Sequence, residues 1–542
     1  MRTHDISPIY LYSEQGKDND LSPVFDYEGF KNDLNEEVKT LSKSFAPIPH
    51  KEVLRRLLEQ IEKIDFKARA FPDAEKLQDN IKKLEHELSS IGESGKDVKA
   101  AEQVRETLNK TIEQLSNFRL QRKHYVVAVV DEMLDTAIRN NWQLCRNNGQ
   151  TFIYNGVYWK AIDRDLLHSV FGEAAEKMGV PRIDARHYQN RRELISQFET
   201  IAYLPAPERN TGTTLINLLN GTFEVSAKSQ HLRLPSANDF ITYQLPFPYS
   251  PEADAPTFQS YLDKVLPDKE RQAVLQEYLG YVFISPQTLK LEKVLLLYGG
   301  GANGKSVFIE TVNALLGREN VSSYSLQTLT ESKGYTRAEL ATKLLNCASE
   351  ISGKMENDAF KLLASGEPIE ARQIYGRPFT MEHYAKFLFS TNELPKEVEQ
   401  TDGYFRRWLI VPFDITIPEQ EQDKELAQKI IANELSGIFN WVLEGLKRLL
   451  IRKNFTDCAA VRKQIAEFRM QSDNVQMFLE DAEYKPSLTD CTTLQELFNE
   501  YKGYCSTNGY FSCSKHKFSQ RLRKIDYVVE RKNYGNVVFI EK

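Results

Sequence analysis

The spacing of apolar residues divides the chain into stretches of different period. In AEKLQDNIKKLEHELSSI the residues Leu77, Ile81, Leu84, Leu88 and Ile91 alternate steps of four and three. That is the seam of a coiled coil or helical hairpin. A turn from Gly92 to Asp97 follows, and VRETLNKTIEQLSNF returns as a second helix. From Val126 the pattern is mixed. TFIYNGVYWKAI alternates aromatic and polar residues around Asn155-Gly156, a hairpin signal. DRDLLHSVFGEAAEKMG predicts an amphipathic helix with an aspartate at its cap. TTLINLLNGTFEV and FITYQLPFPYSP read as strands, and a helical stretch then leads to the apolar run Val294 to Tyr298, which stops at three glycines. Between Leu291 and Phe413 strand, helix, hairpin and strand alternate, the rhythm of an α/β domain. Two helical stretches follow, and from Thr492 a compact tail carries two short helices and a terminal hairpin. The expected division is 1–125, 126–270, 271–455 and 456–542.

Composition narrows the class. Hydrophobic residues make up 41% and charged residues 27% of the 542 positions, as in soluble globular chains. No apolar run approaches the ~20 residues that span a bilayer, and the N-terminus lacks the layout of a signal peptide. These features predict a cytoplasmic protein without a membrane partner. Six cysteines in so long a chain suggest a reducing compartment rather than a disulfide scaffold. The net charge of −6 leaves nucleic-acid contact to local basic patches.

The glycines open the segment GGGANGKS, which fits G-x-x-x-x-G-K-[ST] in full. Gly299, Gly300, Gly301, Ala302, Asn303 and Gly304 supply a loop whose backbone N–H groups turn inward around a phosphate, and the following helix adds its positive N-terminal end. Lys305 reaches the β- and γ-phosphates, and the Ser306 hydroxyl is suited to magnesium. The pattern predicts a nucleoside triphosphate site. Hydrolysis further requires an acid at a strand end, and Glu350 closes a strand that begins at Leu344. Asn392, after the apolar Phe387 to Phe389, suits a polar sensor of the γ-phosphate. Arg406 and Arg407 precede another apolar strand. Such a pair either starts that strand in solvent or reaches a neighbouring subunit's γ-phosphate.

Taken in order, INLLNGTFEV, YQLPFPYSPEADAPTFQSYL, LQEYLGYVF, GGGANGKS, SGEPIEARQIYGRPFTM, FLFSTNELP and GYFRRWLIVPF resemble the phage- and plasmid-encoded primase–helicases of superfamily 3, alongside the poxvirus primase–helicase. The resemblance covers about Val126 to Lys542. It implies an α/β AAA+ phosphate-loop motor with a helical N-terminal region, a mixed α+β collar-like domain and a C-terminal winged helix. It further implies a homo-oligomeric, typically hexameric ring that uses ATP and Mg2+ to unwind single-stranded and forked DNA substrates, generally travelling 3′ to 5′. Residue by residue, Lys305 and Ser306 match the phosphate-loop lysine and magnesium-binding hydroxyl. Glu350 matches the acid of the second motif, and Asn392 the sensor asparagine. Arg406 and Arg407 match the pair from which the trans-acting arginine finger comes, with either one open. The DNA-gripping hairpin of the channel has its turn at Tyr375 to Arg377, with Arg372 beside it.

Two departures stand out. Many superfamily 3 proteins carry two adjacent acids in the second motif, whereas Glu350 is flanked by Ser349 and Ile351. The helical pattern before Val126 also leaves little room for a primase domain, and the acidic pair at Asp18 and Asp20 reads as a solvated loop. The chain is therefore expected to be a helicase without primase activity, whose helical arm either docks a separate primase or polymerase or stabilises the ring. The alternative is a replication-origin binding protein whose ATP site controls assembly without unwinding.

The tail resembles a winged helix. In SKHKFSQRLRKI the residues Phe518, Leu522 and Ile525 face a core and leave Lys515, Lys517, Arg521 and Lys524 outward, with a wing whose tip is Asn533 to Gly535. From Phe511 to Gly535 seven Lys or Arg stand against two Asp or Glu, a balance suited to the phosphate backbone of DNA. Cys491, Cys505, Cys513 and His516 match no compact zinc-ligand spacing and read as structural or incidental.

Overall fold

The computed structural model describes residues 48–94, 98–147, 149–204, 212–349, 351, 355–374, 378–395 and 398–542. The acidic pair at Asp18 and Asp20, Glu350 and the hairpin-turn residues Tyr375 and Arg377 lie outside the described residues.

The four-three spacing near the N-terminus does fold as paired helices, Asp73–Ser94 and Val98–Ser116, packed on each other. Leu77, Ile81, Leu84 and Leu88 are only half-buried, and the returning helix matches them with Val104, Leu108, Thr111 and Leu115. A two-helix arm has one shared seam and no second layer, which explains the partial burial. Beside it, helices His50–Gln60, Arg122–Arg139, Arg164–Met178 and Tyr188–Ile201 share a core built on Leu57, Val129, Met133, Phe171 and Phe198. Asp163 caps the third of these helices by accepting from the N–H groups of Asp165 and Leu166. Helix Arg122–Arg139 runs through the expected boundary at residue 125.

An antiparallel sheet, β1 (Gln143–Asn147), β2 (Gln150–Tyr154) and β3 (Trp159–Ile162), flanks that helical core. Asn155 forms the β2–β3 turn, its side-chain oxygen accepting from the N–H groups of Val157 and Tyr158 at 3.0 Å each. A second antiparallel sheet joins β4 (Thr214–Leu218), β5 (Gly221–Val225) and β6 (Gln230–Arg233). The stretch from Phe240 to Pro251 is not a strand, contrary to its apolar alternation. Pro246, Pro248 and Pro251 remove three ladder donors. The segment instead runs alongside the second sheet with scattered bonds, such as Leu245 N–H to the Asn217 carbonyl at 2.9 Å.

The α/β region is built on β7 (Val294–Tyr298), β8 (Val321–Ser322), β9 (Leu345–Ser349), β12 (Lys386–Thr391) and β13 (Trp408–Pro412). All are parallel, in the order β13-β7-β12-β9-β8. Their continuous apolar runs, with Val294 to Leu297 fully buried, are what a sheet covered on both faces requires. Between β9 and β12 in sequence, β10 (Ile369–Arg372) and β11 (Pro378–Met381) form the expected antiparallel hairpin. Helices Lys269–Tyr281 and Leu435–Arg452 cover one face. They are tied by the fully buried Glu277, which accepts from Arg448 Nε at 2.5 Å and from the Thr456 N–H and hydroxyl at 2.7 Å each. Buried carboxylates persist only with such complete partnering.

The tail follows the order helix Asn474–Asp481, β14 (Lys485–Thr493), helix Leu494–Asn508, helix Lys515–Lys524, β15 (Val529–Lys532) and β16 (Gly535–Glu541). Its three strands form an antiparallel sheet ordered β14-β16-β15, closed over Phe478, Leu497, Tyr501, Phe518 and Val538. No helix among the described residues is long and apolar enough to cross a membrane.

Candidate functional site

In parallel sheets a ligand sits beyond the carboxyl ends of the strands where the connections reverse direction. Here that point is the end of β7, since the chain leaves it for the far edge at β8 and later returns to both its sides as β12 and β13. The glycine-rich loop occupies this point. Gly299 has φ +154°, and a Cβ there would lie 2.3 Å from the Phe413 carbonyl oxygen. Gly304 has φ +86° and packs against Val265 and the Tyr261 ring. Both positions therefore demand glycine for conformation and for space. Asn303 fastens the loop by donating Nδ2–H to the Phe413 carbonyl at 3.1 Å.

Lys305, the first residue of helix Lys305–Leu316, is 6% exposed. Its ammonium stands 2.5 Å from the Gly299 carbonyl, 2.8 Å from the Gly300 carbonyl, 3.1 Å from Asn303 Oδ1 and 3.2 Å from Asn392 Oδ1. Burial lowers its pKa. The last contact joins the loop to the end of β12, so Lys305 and Asn392, 87 residues apart, meet at one point. A cavity of about 490 Å³ opens here. Ser306, Ser349 and Asn392 line it on the sheet side, and Lys264, Asp423 and Lys424 close its rim. Ser349 and Ser390 are register partners on β9 and β12, which puts the end of β9 beside Asn392.

The site has a wall that the sequence patterns did not single out. Helix Pro256–Val265 leans on the loop, and Tyr261 donates its hydroxyl to the Gly304 carbonyl at 2.8 Å. The start of this helix is held by Glu434, whose carboxylate accepts from Thr257 N–H at 3.0 Å and Phe258 N–H at 2.8 Å. A carboxylate at a helix N-terminus, 176 residues away in sequence, leaves no short-range signature.

The arginine pair lies elsewhere. Arg406 and Arg407 immediately precede β13, whose first residue, Trp408, pairs with Val294 at the start of β7. They therefore stand at the amino end of the sheet, and the five residues of the strand put about 16 Å between them and their own glycine loop. Their environments differ sharply. Arg407 is 8% exposed. It donates to the carbonyls of Gly403 at 2.5 Å and Lys361 at 3.2 Å, and to the Ser365 hydroxyl at 2.9 Å. Arg406 keeps 62% of its side chain exposed and makes an ion pair with Glu292 at 2.9 Å. Only Arg406 presents a guanidinium at the surface.

On the hairpin, Arg372 is exposed, with its guanidinium 5.8 Å from the Tyr335 ring centre. In the tail, Lys517 and Lys524 are exposed on helix Lys515–Lys524 as expected, and Arg523 joins them. Arg521 departs from the outward placement. Its guanidinium turns toward Asp473 at 3.3 Å and Asn474 Oδ1 at 3.1 Å, because the domain brings the acidic cap of the neighbouring helix within reach. Lys515 is half-buried and donates to Gln495 Oε1 at 2.6 Å. None of the six cysteines is in a disulfide, with Cys505 buried and Cys491 exposed.

Comparison with known proteins adds family context. The family described as D5 N terminal like matches residues 122–267. A family of unknown function (DUF5906) matches residues 297–407, from the end of β7 to Arg407. Over 234 residues the chain is 28% identical to "Putative helicase L207/L206" of Acanthamoeba polyphaga mimivirus. By these matches the chain is similar to proteins of the viral primase–helicase type. The match to the mimivirus protein takes in 41% of this chain but only 24% of that protein, so the chain spans about a quarter of its relative's length. Among solved structures, the apo C-terminal region of NrS-1 aligns at 11% identity and a TM-score of 0.42, over 76% of this chain and 98% of that one. A second form of the same region gives 12%, 0.41, 75% and 97%.

Proposed function

We propose that this chain is the ATP-driven motor of a superfamily 3 DNA helicase, acting as a homo-oligomeric ring in the replication of a phage, plasmid or other mobile element. One observation carries the reading. Lys305 and Asn392 converge at the carboxyl end of the parallel sheet, while the exposed Arg406 stands at the opposite end. An arginine so placed is too far from its own loop to serve it and is available to a neighbour's. We read the five-stranded sheet as an AAA+ motor, the part of 126–270 before it as collar-like and the tail as a winged helix.

The residues at the loop fit a nucleoside triphosphate. A buried ammonium that stands among four oxygens, none of a carboxylate among the described residues, and the N-terminus of helix Lys305–Leu316 form a donor set for anionic oxygens. Gly300 to Ser306 would hold the phosphates, and Ser306 with Glu350 would hold Mg2+. When bound, Mg2+ offsets charge on the phosphate oxygens. Asn392 keeps Lys305 oriented, the glycine loop excludes bulk, and Arg406 of one subunit supplies positive charge to the next. Glu350 is the base or water-orienting group. The hairpin residues Arg372, Tyr375 and Arg377 would grip a DNA strand in the ring channel, and the N-terminal arm is free to engage a separate primase or polymerase.

Single-stranded DNA should raise ATP hydrolysis by the full chain, because strand contact and turnover belong to one cycle. Charge reversal at Lys517 and Lys524 should weaken fork binding at every sequence and flatten its salt dependence by about two units of log–log slope. Fluorescence anisotropy across a salt series reads both. Hydrolysis indifferent to DNA would remove the motor reading and leave the origin-binding alternative.

A further inference from the structure

Glu292, two residues before β7, adopts φ +56°, a left-handed backbone that glutamate rarely takes. Its neighbours fix it there. The Leu291 N–H donates to the Tyr281 hydroxyl oxygen at 3.3 Å, the Lys293 ammonium donates to the Arg406 carbonyl at 2.5 Å, and the Val294 N–H donates to the Arg407 carbonyl at 2.8 Å. Held in this way, the Glu292 carboxylate accepts from Arg406 Nη2 at 2.9 Å. The same carboxylate lies 3.6 Å from Lys290 Nζ and 3.7 Å from Arg407 Nη2. Arg406 is thus gripped at its carbonyl and at its guanidinium, while the buried Arg407 anchors the next residue. Burial and the neighbouring Arg406 charge lower the Lys293 pKa, which marks a close-packed contact rather than a solvated one.

We propose that Glu292 and Lys293 form a clamp that positions Arg406 for a neighbouring subunit's nucleotide. The proposal rests on the reading of Arg406 as the trans-acting arginine. A surface arginine samples many rotamers. Fixing one of its N–H groups on Glu292 leaves other donors of the planar fork pointing outward, so the ordering cost is met before the phosphates arrive. The placement also has a mechanical consequence. Glu292 and Lys293 sit directly before β7 and the glycine loop directly after it, so one five-residue strand links a subunit's own nucleotide to the guanidinium it offers the next.

Subunit mixing separates the clamp from the reading beneath it. Arg406→Ala and Lys305→Ala chains, each inactive alone, should regain ATP hydrolysis when mixed, since the second supplies Arg406 to the intact sites of the first. Failure to regain it would refute the trans-acting role itself. The donor is then replaced by Lys305→Ala carrying Glu292→Asn. Asparagine accepts the left-handed backbone but is too short to reach Arg406. The regained kcat should fall about tenfold with the KM for ATP unchanged, while a Glu292→Gln donor, which keeps an acceptor oxygen, should restore most of it. A Lys293→Met donor should repeat the loss by removing the other grip, and it provides the test should the asparagine chain not assemble. Regained activity equal to that of the unaltered donor in both cases would overturn the clamp and leave the trans-acting role standing.

Discussion

Lys305→Ala is expected to lower ATP turnover by about a hundredfold to a thousandfold, the range seen when a preorganised donor to developing charge is lost. Lys264 and Lys424 at the cavity rim are exposed, whereas the Lys305 ammonium is buried among four oxygens. Alanine keeps the helix, since it is the best helix former, and leaves Gly299 and Gly304 undisturbed. The cost to the fold is confined to carbonyls that face the cavity, where water replaces the lost donor. Stability should therefore change by about 1 kcal/mol, read by thermal unfolding, while steady-state hydrolysis collapses. Comparable losses in both would mean that Lys305 serves the fold, not the phosphates.

The second large effect separates two adjacent arginines. Arg407→Ala strips the donors from the Gly403 and Lys361 carbonyls and the Ser365 hydroxyl in a buried setting. About 3 kcal/mol or more of stability should go with it, visible as a lowered Tm and poor yield. Arg406→Ala removes an exposed side chain whose ion pair with Glu292 is of the surface kind that contributes little. The fold should barely register the change, yet ATP hydrolysis should fall by about a thousandfold, the scale of a missing arginine finger. An Arg406→Ala chain that hydrolyses ATP normally would remove the trans-acting role from this pair altogether.

The sequence made some of this legible and concealed the rest for identifiable reasons. The loop announced itself because phosphate binding restricts both composition and spacing, and its flanking strand runs from Val294 to Tyr298 as the apolar pattern indicated. Asn392 meets Lys305 because one stands just past the end of β12 and the other behind the loop that leaves the neighbouring β7. The choice between Arg406 and Arg407 could not be read, because both stand in the same local pattern and only the packing of Ser365 and Lys361 distinguishes them. Phe240 to Pro251 misled because aromatic alternation mimics a strand, while three prolines withhold the ladder donors. Tyr261, Glu434 and Glu292 were silent, since each acts on a residue far away in sequence or through a backbone angle that no side-chain pattern encodes. Arg521 turned inward because an acidic cap 48 residues earlier was invisible from its own helix.

Strand displacement on a forked DNA with ATP, run beside a Glu350→Gln chain, tests the central claim most directly. The account predicts that the unaltered chain separates the strands and that the variant binds the fork and ATP without separating them. A chain that binds the fork and hydrolyses ATP but never opens the duplex would contradict it.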